Sequence, residues 1–399
     1  MEKRRSDLTF LKDVFICSLG AFGGPEAHYG VFTDHMVIKK KYLTEEEMIE
    51  LIALTGLLPG PSSTQTMLAI GYKVGGPRLL FLTLLVWAAP AILLMTLFSF
   101  LYAFLSYEGI DQNILRYIGP MAVGFMAMAS YKLGRKVIKN GLTLSLFLAT
   151  MLITYFISQS FIYPLVLITG GLITLIASKE KNLWHRVSVK PKWIYLILVS
   201  GIAVISFGLT LIFDNRLIFL FERFYRFGYL VIGGGQVVIP YMVTELVEVH
   251  QFLSMNAFLT GFGLVQGIPG PMFSFSAYAG GMASADLGVI THILGALISG
   301  IAIFLPGTLL ILFVIPMWES IKQMKGIRIA LSGTVSVAGG LITIAAVKLM
   351  KESGLSLDHI IVFVVTTILL LTKKVPAPLI VLLAILLGII IYKKEGFPS

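Results

Sequence analysis

Thirteen apolar runs, separated by short loops carrying Lys and Arg, leave this chain of 399 residues little choice of fold. They cover roughly 8–24, 48–72, 79–107, 114–131, 141–158, 161–178, 193–213, 217–243, 257–281, 289–316, 328–348, 357–373 and 376–392. A helix needs about 20 apolar residues to cross the hydrocarbon of a bilayer, and lipid offers the backbone no hydrogen-bond partners. Charged residues make up only 13% of the chain and hydrophobic ones 57%, too little charge to cover a soluble surface. The expectation is an all-α polytopic membrane protein of about 13 transmembrane segments, with the lipid bilayer as its surroundings.

The net charge of +10 arises mostly in the loops, so the positive-inside rule accounts for it and no nucleic-acid partner is expected. With Met1 in the cytoplasm and every run crossing, 19 cations face inward and 9 outward. That bias places the N-terminus in the cytoplasm, the C-terminus outside, the loop 25–47 outside and the loop 244–256 inside. The outward run Lys39–Lys41 is the main discordance. A single cysteine, Cys17, rules out an intrachain disulfide framework and a multi-cysteine metal site. No metal and no cofactor are expected.

The chain repeats itself. Phe22-Gly23-Gly24-Pro25 returns as Ile232-Gly233-Gly234-Gly235, and Leu58-Pro59-Gly60-Pro61 as Ile268-Pro269-Gly270-Pro271, both at an offset of 210. Tyr42-Leu43-Thr44 pairs with Phe252-Leu253-Ser254, and Gly71 with Gly281, at the same offset. Further on, Gly119 and Val123 pair with Gly333 and Val337 at 214. The division predicted is a first repeat over 1–192, a linking transmembrane helix over 193–213 and a second repeat over 214–399. Seven segments precede the second unit, so it enters from the opposite face, giving inverted six-segment repeats as in many secondary transporters.

Pro59, Gly60 and Pro61 deny backbone donors and disfavour helix, predicting a broken or re-entrant segment followed by a helix start at Ser62, Ser63, Thr64 and Gln65. A broken helix inside a membrane must lie in protein or line a wet cavity, and a helix start carries open donors and partial positive charge suited to an anion. Pro269, Gly270 and Pro271, with Gln266 before and Ser274 and Ser276 after, repeat the device. Structural kinks are the alternative. Gly23, Gly24, Pro25, Glu26 and His28, with Gly233, Gly234, Gly235 and Gln236, form a second motif pair suited to gating or proton coupling. Tight helix packing explains the glycines equally well, and explains Glu26, His28 and Gln236 poorly. Arg223 and Arg226 are read either as attracting an anion to a vestibule or as interface anchors. The remaining histidines, 35, 185, 250, 292 and 359, read as structural or solvated groups in or near loops. No metalloprotease, serine hydrolase or nucleotide-binding motif is present, so neither an enzyme nor an ATP-driven pump is expected.

At these motifs the sequence resembles the chromate ion transporter family in its long, two-domain form. Phe22–His28, Lys41–Glu45, Leu57–Gln65 and Ala69–Gly71 look like its first-half signature; Ile232–Pro240 and Gln266–Tyr278 look like its second. The resemblance implies secondary transport of chromate as efflux at the plasma (inner) membrane, with sulfate as the related oxyanion. It leaves room for a homodimer, for an importer or exchanger of another anion, and for a non-transporting scaffold. Ser18, Gly56 and Gln236 depart from the pattern expected there, where Gly, Gln and His would stand.

Overall fold

The computed structural model describes residues 7–109, 114–157, 159, 161–180, 183–184, 191–232, 235–322 and 324–395, and these contain helices but no strand. Among the described residues, four stretches are long and apolar enough to cross a membrane: Ser62–Tyr107, Trp193–Ile212, Val289–Met317 and Lys325–Glu352. Shorter apolar helices stand beside them, among them Gly141–Phe156, Ile162–Ile176 and Leu357–Thr372.

The runs around the two Pro-Gly-Pro breaks do not cross as single helices. In the first, α3 (Glu45–Leu57) carries a complete capping box at Thr44 and stops at Leu58, where the prolines begin. The chain turns through Gly60, at φ +125°, and returns as the first arm of α4 (Ser62–Tyr107). Glu47 pairs with Lys73 at the mouth of this hairpin, and the Thr55 and Thr66 hydroxyls bond at 2.7 Å nearer its tip. α4 then kinks at Gly75 and Gly76, the latter at φ +74°, and continues from Pro77 as a long arm.

The run 8–24 is likewise half of a hairpin. α1 (Asp7–Gly20) turns through Gly23 and Gly24, both at positive φ, into α2 (Pro25–Phe32), which continues as a π-helical turn over Thr33–Lys39. Asp13 of α1 accepts from His35 at 3.0 Å and Tyr42 at 2.7 Å and pairs with Lys40 at 2.9 Å, while Phe10 packs edge-on against Tyr42. α1 has 14 residues and the returning arm eight in α2 and seven in the π-helical turn, each short of the about 20 residues of a full crossing.

After α5 (Ile118–Val137), α6 (Gly141–Phe156), α7 (Ile162–Ile176) and α8 (Trp193–Ile212), the same devices recur. α9 (Arg216–Leu230) precedes a 3-10 turn over Gly235–Val238, α10 (Ile239–Val243) and a second π-helical turn over Thr244–Val249. α11 (Met255–Val265), capped by Ser254, leads to the second break and α12 (Phe275–Met282). Gly270 has φ +101°, and Gln251, like Lys41 in the first half, has φ +51°. Phe258 and Phe275 pack at 5.0 Å across α11 and α12, and the Tyr278 ring fills the space beside Gly261.

α13 (Val289–Ala302) and α14 (Leu305–Val314) continue almost without interruption to Ile321, and α15 (Lys325–Glu352), α16 (Leu357–Thr372) and α17 (Ala377–Glu395) complete the chain. The halves interlock. α5 packs on α16, where Gly124 makes room for Thr366, and α15 packs on α6, where Gly340 makes room for the backbone at Phe147. α8 is the least buried of the four spanning-length stretches, with Ser206 its one buried residue, as an apolar helix with a face toward lipid would be.

Candidate functional site

The four hairpin tips meet through a reciprocal pair of hydrogen bonds. The Gly60 amide donates to the Val231 carbonyl at 2.7 Å, and the Gly270 amide donates to the Ala21 carbonyl at 2.8 Å. Each Pro-Gly-Pro tip is therefore bonded to the end of the opening helix of the other half. Two positive-φ glycines make this approach possible: a Cβ on Gly60 would stand 3.1 Å from the Gly307 Cα, and one on Gly270 2.9 Å from the Ala91 Cβ.

Around the first break the predicted residues cluster. Pro59 and Pro61 bracket Gly60, and the α4 start leaves the amides of Ser62, Ser63 and Thr64 without partners inside the helix. Ser63, Thr64 and Gln65 are buried. The Gln65 Nε2 donates to the carbonyls of Pro59 at 2.8 Å and Gly307 at 3.2 Å, clamping the tip to α14. His28 Nδ1 lies 3.1 Å from the Ser63 hydroxyl, joining the two sequence motifs. Trp87 closes the cluster, donating from Nε1 to Thr64 at 3.1 Å and meeting the His28 ring edge-on. Two buried polar atoms here have no protein partner: His28 Nε2 and Gln65 Oε1.

The second break is built differently. Ser274 and Ser276 are buried, yet each hydroxyl bonds a carbonyl of its own turn, Pro271 at 2.8 Å and Phe273 at 2.7 Å. Gln266 points its amide nitrogen at the Met272 sulfur, 3.8 Å away. The positions matching His28, Ser63 and Gln65 hold Val238, Phe273 and Phe275, which line a small apolar void. Pro269 and Pro271 shape the turn, but the polar equipment belongs to the first half.

Glu26 stands 76% exposed beside the tip of the α1–α2 hairpin, 3.8 Å from Lys132, away from the buried cluster. Gly23 and Gly24 supply the turn and Pro25 the first helical position. Gly233 and Gly234 lie outside the described residues; Gly235 and Gln236 open the 3-10 turn. Arg223 and Arg226 are both locked into ion pairs with buried Glu222, and Arg223 also with Glu245. His292, expected near a loop as a structural or solvated group, is structural: it sits buried in the first turn of α13, bonded to Ser99 at 2.8 Å and stacked on Phe100.

Sequence reasoning missed Trp87 and Gly307, which come from apolar stretches with no local signal. It also missed Glu222, whose spacing of four residues before Arg226 was a readable sign of an ion pair.

Comparison with known proteins decides the family. The profile described as chromate transporter matches residues 8–175 and again 218–389. The chain belongs to the chromate transporter family. A probable chromate transport protein of Synechococcus elongatus is 25% identical over 389 residues, covering 95% of each chain. A chromate transport protein of Cupriavidus metallidurans is 25% identical over 382 residues, 93% of this chain and 90% of the other. An uncharacterized transporter of Methanocaldococcus jannaschii is 25% identical over 399 residues, 98% and 96%. No solved structure matches the chain. The family is one of membrane ion transporters, and the multi-pass apolar helices agree with it.

Proposed function

We propose that this chromate transporter family member is a secondary active carrier of a tetrahedral oxyanion, chromate first and sulfate second, working outward across the plasma (inner) membrane. The observation that carries the reading is the convergence of the re-entrant tips on a buried cluster with spare hydrogen-bonding capacity. If the Ser63 hydroxyl donates to His28 Nδ1, the proton sits on Nε2, which is then a donor without a protein acceptor. With the open amides of Ser62–Thr64 and the hydroxyls of Ser63 and Thr64, it supplies the donors a dianion needs in place of a resident cation. In this reading Pro59, Gly60 and Pro61 shape the first wall; Gln266, Pro269, Gly270, Pro271, Ser274 and Ser276 build the opposing tip; and Gly23, Gly24 and Pro25, with the matching motif Gly233–Gln236, serve gating.

The halves, 1–192 and 214–399 joined across 193–213, are read as inverted. Lys322, at the far end of the α13–α14 span, pairs with Glu50 near the mouth of the α3–α4 hairpin at 3.0 Å. That span begins at Gly288, beside the mouth of the α11–α12 hairpin. The two mouths then lie at opposite ends of one spanning helix. With both pairs of hairpins folding back, Lys39–Lys41 move to the cytoplasmic side and the cation bias rises from 19-to-9 to 22-to-6. The N-terminus stays cytoplasmic and the C-terminus outside. One chain supplies both halves of the site, so the reading needs no second copy.

The test is flux of radiolabelled chromate and sulfate in proteoliposomes, with pH gradient and membrane potential set independently. Movement of both anions against a gradient, driven by one of these forces, supports the reading. Absence of flux for either anion overturns it in favour of other cargo or a scaffold.

A further inference from the structure

A cavity of about 490 Å³ opens between α7, α8, α9 and α10, and its polar wall is Glu222, Arg226 and Tyr241. The opposite wall is apolar, with Phe161, Pro164 and Phe207. Leu230 also lines it, one residue from Val231, whose carbonyl holds the Gly60 amide. One residue of chain thus links the cavity lining to the contact that holds the first Pro-Gly-Pro tip.

Arg226 reaches the cavity with its charge already engaged. Its Nε donates to Glu222 Oε1 at 2.7 Å, its Nη2 meets the same oxygen, and its Nη1 reaches the Tyr241 hydroxyl at 3.3 Å. The other Glu222 oxygen takes Arg223 Nη1 at 2.5 Å, and Arg223 Nε lies 2.6 Å from Glu245. Two arginines and two glutamates thus cancel. Such a buried network is a poor source of stability, since apolar replacements of equal volume often serve as well. Placed on the wall of a cavity, it offers something packing does not, a cation released when its partner is neutralised.

We propose that this cavity is a second oxyanion site, in which Arg226 and the Tyr241 hydroxyl hold the anion and Glu222 is the carboxylate it displaces. The proposal rests on the oxyanion reading above. A dianion beside an ionised Glu222 would be repelled, so Glu222 takes one proton from water as the anion settles on Arg226, while Arg223 stays with Glu245. Anion binding then tightens as pH falls. The charged and titratable groups facing Glu222 are Arg223, Arg226 and Tyr229 from α9, and Tyr241 and Glu245 from α10 and its π-helical turn. The facing residues of α7 and α8, with Phe161 before them, are uncharged, and His250 approaches Glu245, at 3.7 Å.

The experiment measures sulfate binding to the purified full-length protein at neutral and mildly acid pH, in a Ser63→Ala, Thr64→Val background that weakens the tip site. Glu222→Gln is expected to bind sulfate about ten-fold tighter at neutral pH and to lose the acid dependence, a gain of about 1.4 kcal/mol. Arg226→Gln is expected to lose this binding. Tyr241→Phe keeps every ion pair, and with it the fold, and is expected to weaken binding several-fold. Sulfate titrations of Glu222→Gln and Tyr241→Phe that match their parent at both pH values overturn the cavity site. Vesicle flux separates the two failures: normal wild-type flux with an unchanged pH profile in Glu222→Gln removes the cavity site alone, whereas no wild-type flux of either anion removes the oxyanion reading with it.

Discussion

Asp13 and Arg223 stand 210 residues apart at matching points of the two halves, and each is in polar contact with the matching residue of a π-helical turn, the carboxylate lying on the opening helix in the first half and on the turn in the second. Asp13 lies 3.0 Å from His35, and Arg223 lies 2.6 Å from Glu245. Both hairpins are thus closed by a polar contact between the opening helix and the strand of helix that returns beside it. What the two halves share is the contact, not the side that carries the carboxylate.

Removing one partner of such a contact leaves the other buried and uncompensated, a loss of about 3–5 kcal/mol in well-buried pairs. Asp13, 2% exposed, is the common acceptor for His35, Lys40 and Tyr42. Asp13→Ala is expected to lower unfolding stability in detergent by an amount near the lower end of that range, because Lys40 is part exposed. Arg223→Ala is expected to do the same by stranding Glu245. Unfolding curves coincident with wild type would show that the hairpins close by apolar packing alone.

The tip glycines give a sharper expectation. Gly60→Leu and Gly270→Leu are each expected to abolish anion flux while the protein remains inserted, because positive φ and a near backbone leave no room for a side chain. The obstacle to a Cβ at Gly270 is the Ala91 Cβ at 2.9 Å. Ala91→Gly is therefore expected to restore part of the flux of Gly270→Ala, leaving only the φ strain. Flux is normalised to protein in the membrane; near-normal flux in both leucine variants would remove the tips from the mechanism.

The breaks were legible because proline and glycine act locally: Pro59-Gly60-Pro61 disfavours helix wherever it stands. That the chain folds back there was not legible. An apolar run of about 25 residues reads as one crossing, and the sign of the hairpin is a pair such as Glu47–Lys73, 26 positions apart, which no local pattern reveals. The tip cluster was half legible. Ser63, Thr64, Gln65 and His28 announce themselves as polar residues in apolar surroundings, whereas Trp87 is one more aromatic in an apolar run until α4 folds it onto Thr64. The repeat also misled, since equal spacing suggested equal hydroxyl sets, and the second set is turned into its own backbone.

Folding back has a direct consequence for accessibility. Single cysteines at the exposed positions 46 and 256, with Cys17 replaced, are expected to be labelled from the cytoplasmic and the outer face respectively. Thirteen full crossings would give the reverse, and labelling of both from one face would exclude inverted halves. Labelling by a membrane-impermeant maleimide in right-side-out and inside-out vesicles distinguishes the three.

The asymmetry of the breaks predicts unequal roles for the hydroxyls. Hydrogen bonds to a charged ligand contribute roughly 1.5–3 kcal/mol each. Ser63→Ala with Thr64→Val is therefore expected to weaken the apparent affinity for the transported anion about ten-fold or more, at about 1.4 kcal/mol per decade. Binding should be weakened rather than lost, because the amides of Ser62, Ser63 and Thr64 survive the replacement. Ser274→Ala with Ser276→Ala removes hydroxyls already committed to Pro271 and Phe273, and is expected to shift affinity less than about three-fold. His28→Ala should resemble the Ser63 and Thr64 pair, and His28→Gln, which keeps a donor near Nε2, should recover part of the loss. The readout is the concentration dependence of chromate and sulfate flux in proteoliposomes. Equal losses in the two serine sets would mean that both halves bind alike. Losses confined to Ser274 and Ser276 would move the site to the second tip and leave the polar cluster at His28 a packing feature.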